Sequence, residues 1–174
     1  MSMQDPSLII EEFNNDNSSQ FWDALDSFSF HIDRDYYERC IERHKNGELV
    51  IITASLESIN IGYCILNWQP KYAYFKKCSI PEIQDLNVLS KYRRRGVGCA
   101  LIEYCESMAR VKNYKEMGIA VGMDSSFGAA QRLYVRMGYI PDGAGLCYDR
   151  KQVAIGEFKP IDENLSLMMV KELI

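Results

Sequence analysis

The stretch Glu82-Ile83-Gln84-Asp85-Leu86-Asn87-Val88-Leu89-Ser90-Lys91-Tyr92-Arg93-Arg94-Arg95-Gly96-Val97-Gly98 decides how this chain is read. Glu82 to Leu89 has strand character, and Ser90 to Arg95 is a polar, basic turn. From Gly98 to Lys112, Leu101, Cys105, Met108 and Ala109 fall on one helical face, with Glu103, Glu106 and Arg110 on the other. Strand, Gly-rich turn and helix together make a phosphate-binding arrangement. The first amides of a helix lack intrahelical partners and its dipole adds about half a positive charge there, so an anion is stabilised at that end. Gly96 and Gly98 have no Cβ to hold a ligand away from the backbone, and Arg93, Arg94 and Arg95 add positive charge.

Upstream, Leu8 to Phe13 is a short apolar run suited to a strand. Ser18 or Ser19 caps an expected helix carrying Phe21, Trp22, Leu25 and Phe28. A second helix is predicted from Asp35 to Lys45, ending at Asn46-Gly47. Glu48 to Leu56 and Ile59 to Trp68 are β-rich runs separated by Glu57 and Ser58, which predicts a hairpin without the Asn-Gly signature. Gln69 to Ser79, aromatic and basic, reads as a loop or strand extension; its Trp68, Tyr72, Tyr74, Phe75 and lysine neighbourhood reads as a packing patch, an acceptor wall or a subunit contact. Downstream come a buried strand, Met117 to Val121, and a helix from Gly128 to Met137 with Gly138 as its C-terminal cap. Leu146 to Arg150 and Leu165 to Glu172 complete the strands, joined by a Gly/Pro-containing loop. The order implies an α/β (α+β) fold: a mixed, mostly antiparallel sheet of six to seven strands with about four helices.

Composition narrows the function. A chain of 174 residues, 47% hydrophobic and 25% charged, fits one globular domain spanning 1–174. No apolar run approaches the roughly 20 residues of a membrane helix, and Met1 to Asn17 lacks the order of a secretory signal, so a cytoplasmic protein without membrane partners is expected. A net charge of −4 argues against nucleic acid as the main partner. The six cysteines include no Cys-x-x-Cys pair and read as buried, reduced thiols. His31 and His44 lack metal-site spacing and read as packing or surface residues; no metal is expected.

Walker and dinucleotide Gly patterns are both missing from the phosphate segment. The spacing Arg-x-x-Gly-x-Gly, from Arg93 to Gly98 after the Asp85-Leu86-Asn87-Val88 strand, instead resembles the pyrophosphate-binding motif of the GNAT superfamily of N-acetyltransferases. The resemblance runs from about Leu49 to Tyr139. It implies acetyl-CoA as cofactor, bound along the Leu86, Asn87 and Val88 backbone and at Arg93, Arg94, Arg95, Gly96, Val97, Gly98 and Cys99. It also implies a strand bulge that frees backbone for the pantetheine, and an amide that stabilises the developing oxyanion. Ala130 to Tyr139 resembles the family's second motif and makes Tyr134 the acid that protonates the thiolate. Many relatives carry an asparagine seven residues earlier, where this chain has Phe127; Ser126 is a substitute contact, and Asp124, Ser125 or Ser126 can cap the helix.

The general base stays open between Glu82, Asp85 and ordered water. Three residues apart, the two carboxylates point to opposite faces of a regular strand unless a bulge intervenes. The implied activity is acetyl transfer to a primary amine of a small molecule or peptide by direct attack in a ternary complex, with no covalent enzyme intermediate. The alternative is a non-catalytic acyl-CoA-binding sensor or interaction module of the same fold. Pairing of two chains through the C-terminal strands is a further expectation.

Overall fold

A computed structural model describes residues 7–14, 16, 18–28 and 32–174; His31 lies outside them. Along the chain come β1 (Leu8–Glu12), α1 (Ser18–Asp26), α2 (Arg34–Lys45), β2 (Leu49–Leu56), β3 (Ile59–Asn67), α3 (Ala73–Cys78) and β4 (Glu82–Val88). They are followed by α4 (Val97–Val111), β5 (Glu116–Gly122), α5 (Gly128–Arg136), β6 (Ile140–Tyr148), β7 (Lys151–Gln152) and β8 (Leu165–Glu172). The strand order is β1-β2-β3-β4-β5-β8-β6-β7. Neighbours pair antiparallel in β1–β2, β2–β3, β5–β8, β8–β6 and β6–β7, and parallel in β4–β5. The sheet is therefore mixed and mostly antiparallel, somewhat larger than the sequence suggests. No helix among the described residues is long and apolar enough to cross a membrane.

Two compact units divide the chain, Met1–Asn67 with Gln84–Cys105, and Trp68–Ile83 with Glu106–Ile174. In the first, the β2–β3 hairpin closes with Glu57 and Ser58 at φ 50° and 66°. Both central residues are left-handed, the backbone a two-residue turn needs to match strand twist, here without glycine. Phe13, Phe21, Leu25, Tyr37, Tyr63 and Ile65 form its buried core, with Phe21 meeting Phe13, Tyr37 and Tyr63 edge to face. Phe28, expected on α1, lies beyond the helix and packs on this core from the following turn. His44 ties α2 to the sheet: Ile51 N–H donates to Nδ1 at 3.3 Å, which leaves Nε2 to donate to the Phe13 carbonyl at 2.9 Å.

In the second unit α3 corrects the reading of Gln69 to Ser79 as loop or extension. Ser79 takes the left-handed conformation at φ 55°, and Ile80 N–H donates back to the Phe75 carbonyl at 2.9 Å. This is a Schellman closure with buried Ile80 and Phe75 as its apolar pair. A serine in the usual glycine position hides that closure from sequence inspection. By contrast α5 ends as expected, with Gly138 at φ 92° and Tyr139 N–H on the Tyr134 carbonyl at 3.0 Å. β6 begins earlier than predicted, at Ile140, because Pro141 and the left-handed Gly143 and Gly145 disrupt its register against β8 without ending the strand.

Glu106 is a second correction. Expected on the outer face of α4, it is 2% exposed and held by Lys171 Nζ, 2.8 Å from each oxygen, Tyr139 Oη at 3.1 Å and Arg110 at 3.4 Å. An amphipathic pattern cannot show that a strand 65 residues away supplies the counter-charge. Cys40, Cys64, Cys105 and Cys147 are buried as expected, whereas Cys78 is exposed.

The Phe75 ring lies flat on Gly118 of β5, where an added Cβ would come within 2.3 Å of it. Phe75 is fully buried and cannot swing aside. Gly118→Ala should lower stability by about 1–3 kcal/mol through overpacking, read as a lower urea midpoint at an unchanged slope.

Candidate functional site

The first unit carries the phosphate-type turn. After Val88 the chain runs through a 3-10 turn, Ser90–Tyr92, in which Tyr92 N–H donates to the Leu89 carbonyl at 2.8 Å. Arg94 then adopts φ 60° and Gly96 φ 85° before α4 starts at Val97. Two left-handed residues, Arg94 and Gly96, precede the start of α4, and the first amides of a helix lack intrahelical partners, the arrangement that receives an anion. Ala100 N–H already bonds the Gly96 carbonyl at 2.9 Å, so the helix is formed from its first turn. Val97 is buried and anchors that turn.

The three arginines differ. Arg93 donates through Nε to the Val88 carbonyl at 2.9 Å, which fastens the turn to the end of β4. Arg95 lies over the Tyr92 ring at 5.7 Å and Lys91 over the same ring at 4.9 Å, so Tyr92 supports two cations at the mouth of the turn. Arg94 is exposed. Gly98 and Cys99, the next residues of α4, are partly exposed.

β4 is broken where the sequence leaves room for a bulge. Asp85 sits at φ 49°, left-handed for a non-glycine residue in mid-strand. Its carboxylate accepts from Tyr36 Oη at 2.7 Å, and its carbonyl accepts from Asn87 Nδ2 at 3.1 Å. The same Asn87 amide lies 3.2 Å from Tyr63 Oη, and Tyr63 shares a 2.6 Å hydrogen bond with Tyr37. Burial first, and the Asp85 charge second, push the Tyr36 and Tyr37 phenols above their ordinary value; burial raises Tyr63 as well. All three stay protonated over the working pH range. Gly62 of β3 lets the strands close up here, since a Cβ would meet the Asn87 carbonyl at 2.8 Å. A cavity of about 530 Å³ also opens in this unit, lined by Gln20 and Asp23 of α1, Asn60, and Leu89, Lys91 and Arg93 of the turn.

The second unit holds Glu82, Ser126 and Tyr134. Glu82 is fully buried and ion-paired with Arg150, which is 29% exposed. Arg150 belongs to a two-residue turn, Asp149 and Arg150 at φ 47° and 61°, that joins β6 to β7. The register of β4 on β5 covers Glu82↔Gly118 and Ile83↔Ile119. Beyond β5, Asp124 accepts from Ser126 N–H at 2.7 Å and caps the short turn Ser125–Phe127 that leads into α5. None of the three expected residues caps α5 itself, whose N-cap is Phe127 without a side-chain bond; Asp124 caps the 3-10 turn before it. Phe127, in place of asparagine, lays its ring on Gly122, and Gln131 Nε2 donates to the Gly122 carbonyl at 2.9 Å. Tyr134 is buried on α5, its ring 6.3 Å from that of Tyr139.

Tyr36, Asn87 as the holder of Asp85, and Arg150 are contacts that sequence reasoning missed. Tyr36 and Arg150 lie 49 and 68 residues from their partners, and neither pairing leaves a local motif.

Comparison with known proteins gives the family and the fold. A family model described as an acetyltransferase (GNAT) domain matches residues 46–141, over half of the chain, and the chain belongs to that family. A curated protein of Archaeoglobus fulgidus, described as an uncharacterized N-acetyltransferase, is 28% identical over 104 residues, 57% of this chain and 67% of the relative. A candidate GNAT-family acetyltransferase from Desulfovibrio desulfuricans has the same fold, with a TM-score of 0.72, 11% identity, and coverage of 96% of this chain and 99% of that one. An aminoglycoside 6'-N-acetyltransferase complexed with coenzyme A gives a TM-score of 0.68 at 18% identity, covering 95% and 97%.

Removing the guanidinium while keeping Glu82 takes the Arg150 ion pair from a fully buried carboxylate. Arg150→Met should therefore cost on the order of 3 kcal/mol at neutral pH, and adding Glu82→Gln should restore much of it. Chemical denaturation of both variants checks this.

Proposed function

We propose that the chain transfers the acetyl group of acetyl-CoA to a primary amine of a small molecule or peptide, and that residues 1–174 work as one acetyltransferase domain. The observation that carries the reading is the Arg93–Gly98 turn, whose left-handed Arg94 and Gly96 lead directly into the fifteen-residue helix α4. A pyrophosphate suits that turn because a helix start offers amides without intrahelical partners, beside two residues without side chains and exposed guanidinium groups. When bound, acetyl-CoA supplies an acetyl group activated as a thioester, which the amine attacks directly. Val97, Gly98 and Cys99 contribute the first helical amides, and Arg94 and Arg95 contribute charge. Arg93, already bonded to Val88, holds the turn in shape. Leu86, Asn87 and Val88 follow the strand break and offer backbone groups to the pantetheine and to the developing oxyanion. Ser126 is proposed as a further cofactor contact.

Tyr134 is the proposed acid that gives its phenolic proton to the departing sulfur. Between the two carboxylates, Asp85 is the proposed base. Glu82 is fully buried and paired with the Arg150 guanidinium, which occupies it. Asp85 is partly exposed and sits at the strand break itself. A cytoplasmic setting and pairing of two chains through the C-terminal strands complete the proposal; light scattering tests the pairing.

Calorimetry should show CoA binding, and free-thiol release from acetyl-CoA should identify turnover in a panel of aminoglycosides, polyamines, amino acids and peptides. Tyr134→Phe should lower kcat by about 10²-fold or more with CoA affinity unchanged. Well-folded protein that gives no heat with CoA would overturn the assignment, and CoA binding without turnover across the panel would make the chain a non-catalytic acyl-CoA-binding module.

A further inference from the structure

Tyr36 and Tyr37 are adjacent on α2, yet both act on the same break in β4. The Tyr36 hydroxyl donates to Asp85 Oδ2 at 2.7 Å. Tyr37 reaches Tyr63 at 2.6 Å, Tyr63 meets the Asn87 amide at 3.2 Å, and that amide donates to the Asp85 carbonyl at 3.1 Å. One helix turn thus grips both ends of a residue that sits at φ 49°. A left-handed aspartate in a strand persists only where its surroundings determine it, and such residues concentrate at functional sites. A tyrosine used for packing alone has no need of a carboxylate partner, and Asp85 would be better solvated with its oxygens turned to water.

We infer that Tyr36 is a positioning residue for Asp85, aiming its carboxylate at the acceptor amine; this rests on the transferase reading above. A donor bonded to the charged form of a carboxyl group lowers its pKa. Tyr36, Tyr37 and Cys40 from α2 and Tyr63 from β3 all feel the charge of Asp85. Burial raises each of them, so they remain neutral across the working pH range. The hydroxyl of Tyr36 is therefore a donor to Asp85 across that range.

The test compares wild type, Tyr36→Phe, Asp85→Asn and the double variant, using the amine found in the thiol-release panel. Tyr36→Phe should reduce kcat about tenfold or more and move the acidic limb of kcat/KM to higher pH, with CoA affinity and the KM for acetyl-CoA unchanged. In the Asp85→Asn background the Tyr36 change should have little further effect, because the group it aims is gone. Equal losses in both backgrounds, an unmoved acidic limb, or an Asp85→Asn enzyme with wild-type turnover would each overturn the inference while leaving the transferase standing. A wild-type chain with no turnover overturns both. Should Tyr36→Phe fail to fold, Tyr36→Leu takes its place in the same assay, with the same loss and shift expected; an unmoved limb there counts against the inference.

Discussion

One hydrogen-bonded grip gives the first unit its character, namely the hold of Tyr36 and Asn87 on Asp85. A strand resists a left-handed aspartate because its Cβ crowds the backbone, at a cost on the order of 1–3 kcal/mol. Here the carboxylate and the carbonyl of the same residue are both bonded, which offsets that cost and fixes where the regular run of β4 ends. Leu86, Asn87 and Val88 follow from this break, and Arg93 then fastens the turn to Val88. The conformation of Gly96 and the start of α4 are downstream of it. A binding turn that depends on close backbone approach needs such a firmly placed origin.

A different kind of constraint operates in the second unit. Two carboxylates, Glu82 and Glu106, are buried there, and each has a cation brought from a distant strand or turn. A buried pair does not add much net stability over an apolar replacement, but it penalises every arrangement in which one charge is left alone. Arg150 and Lys171 therefore set the placement of the chain's C-terminal third more than they add stability.

The parts of the fold that depend on neighbours in sequence were legible. The β2–β3 turn length, the Gly138 cap and the Arg93–Gly98 spacing all act within a few residues, and each is found where the sequence put it. α3 was missed because Ser79 performs a task usually given to glycine. Glu106 was misplaced because helical periodicity reports a face but not what covers it. In the candidate site, the turn and Tyr134 could be named from motifs. The contrast between Glu82 and Asp85 could not, since it arises from Arg150 and Tyr36, whose partners lie far along the chain. Sequence spacing left open whether the strand is regular between the two carboxylates; the structure has Asp85 in a left-handed conformation within it.

The Asp149–Arg150 turn has a practical corollary for anyone re-engineering this protein. Its two residues both occupy left-handed backbone, and the second carries the guanidinium that reaches Glu82. Lengthening this hairpin by even one residue would rotate that side chain off its target. The neighbouring segment is tied at both ends, Val153 N–H donating to the Leu146 carbonyl at 2.8 Å and the Asn164 carbonyl accepting from Asp149 N–H at 3.0 Å, but its middle, with Ile155 and Phe158 in the open, makes no such bond to the turn. Affinity tags, fluorophores or swapped sequences belong in that middle, a few residues from a turn that tolerates none of them.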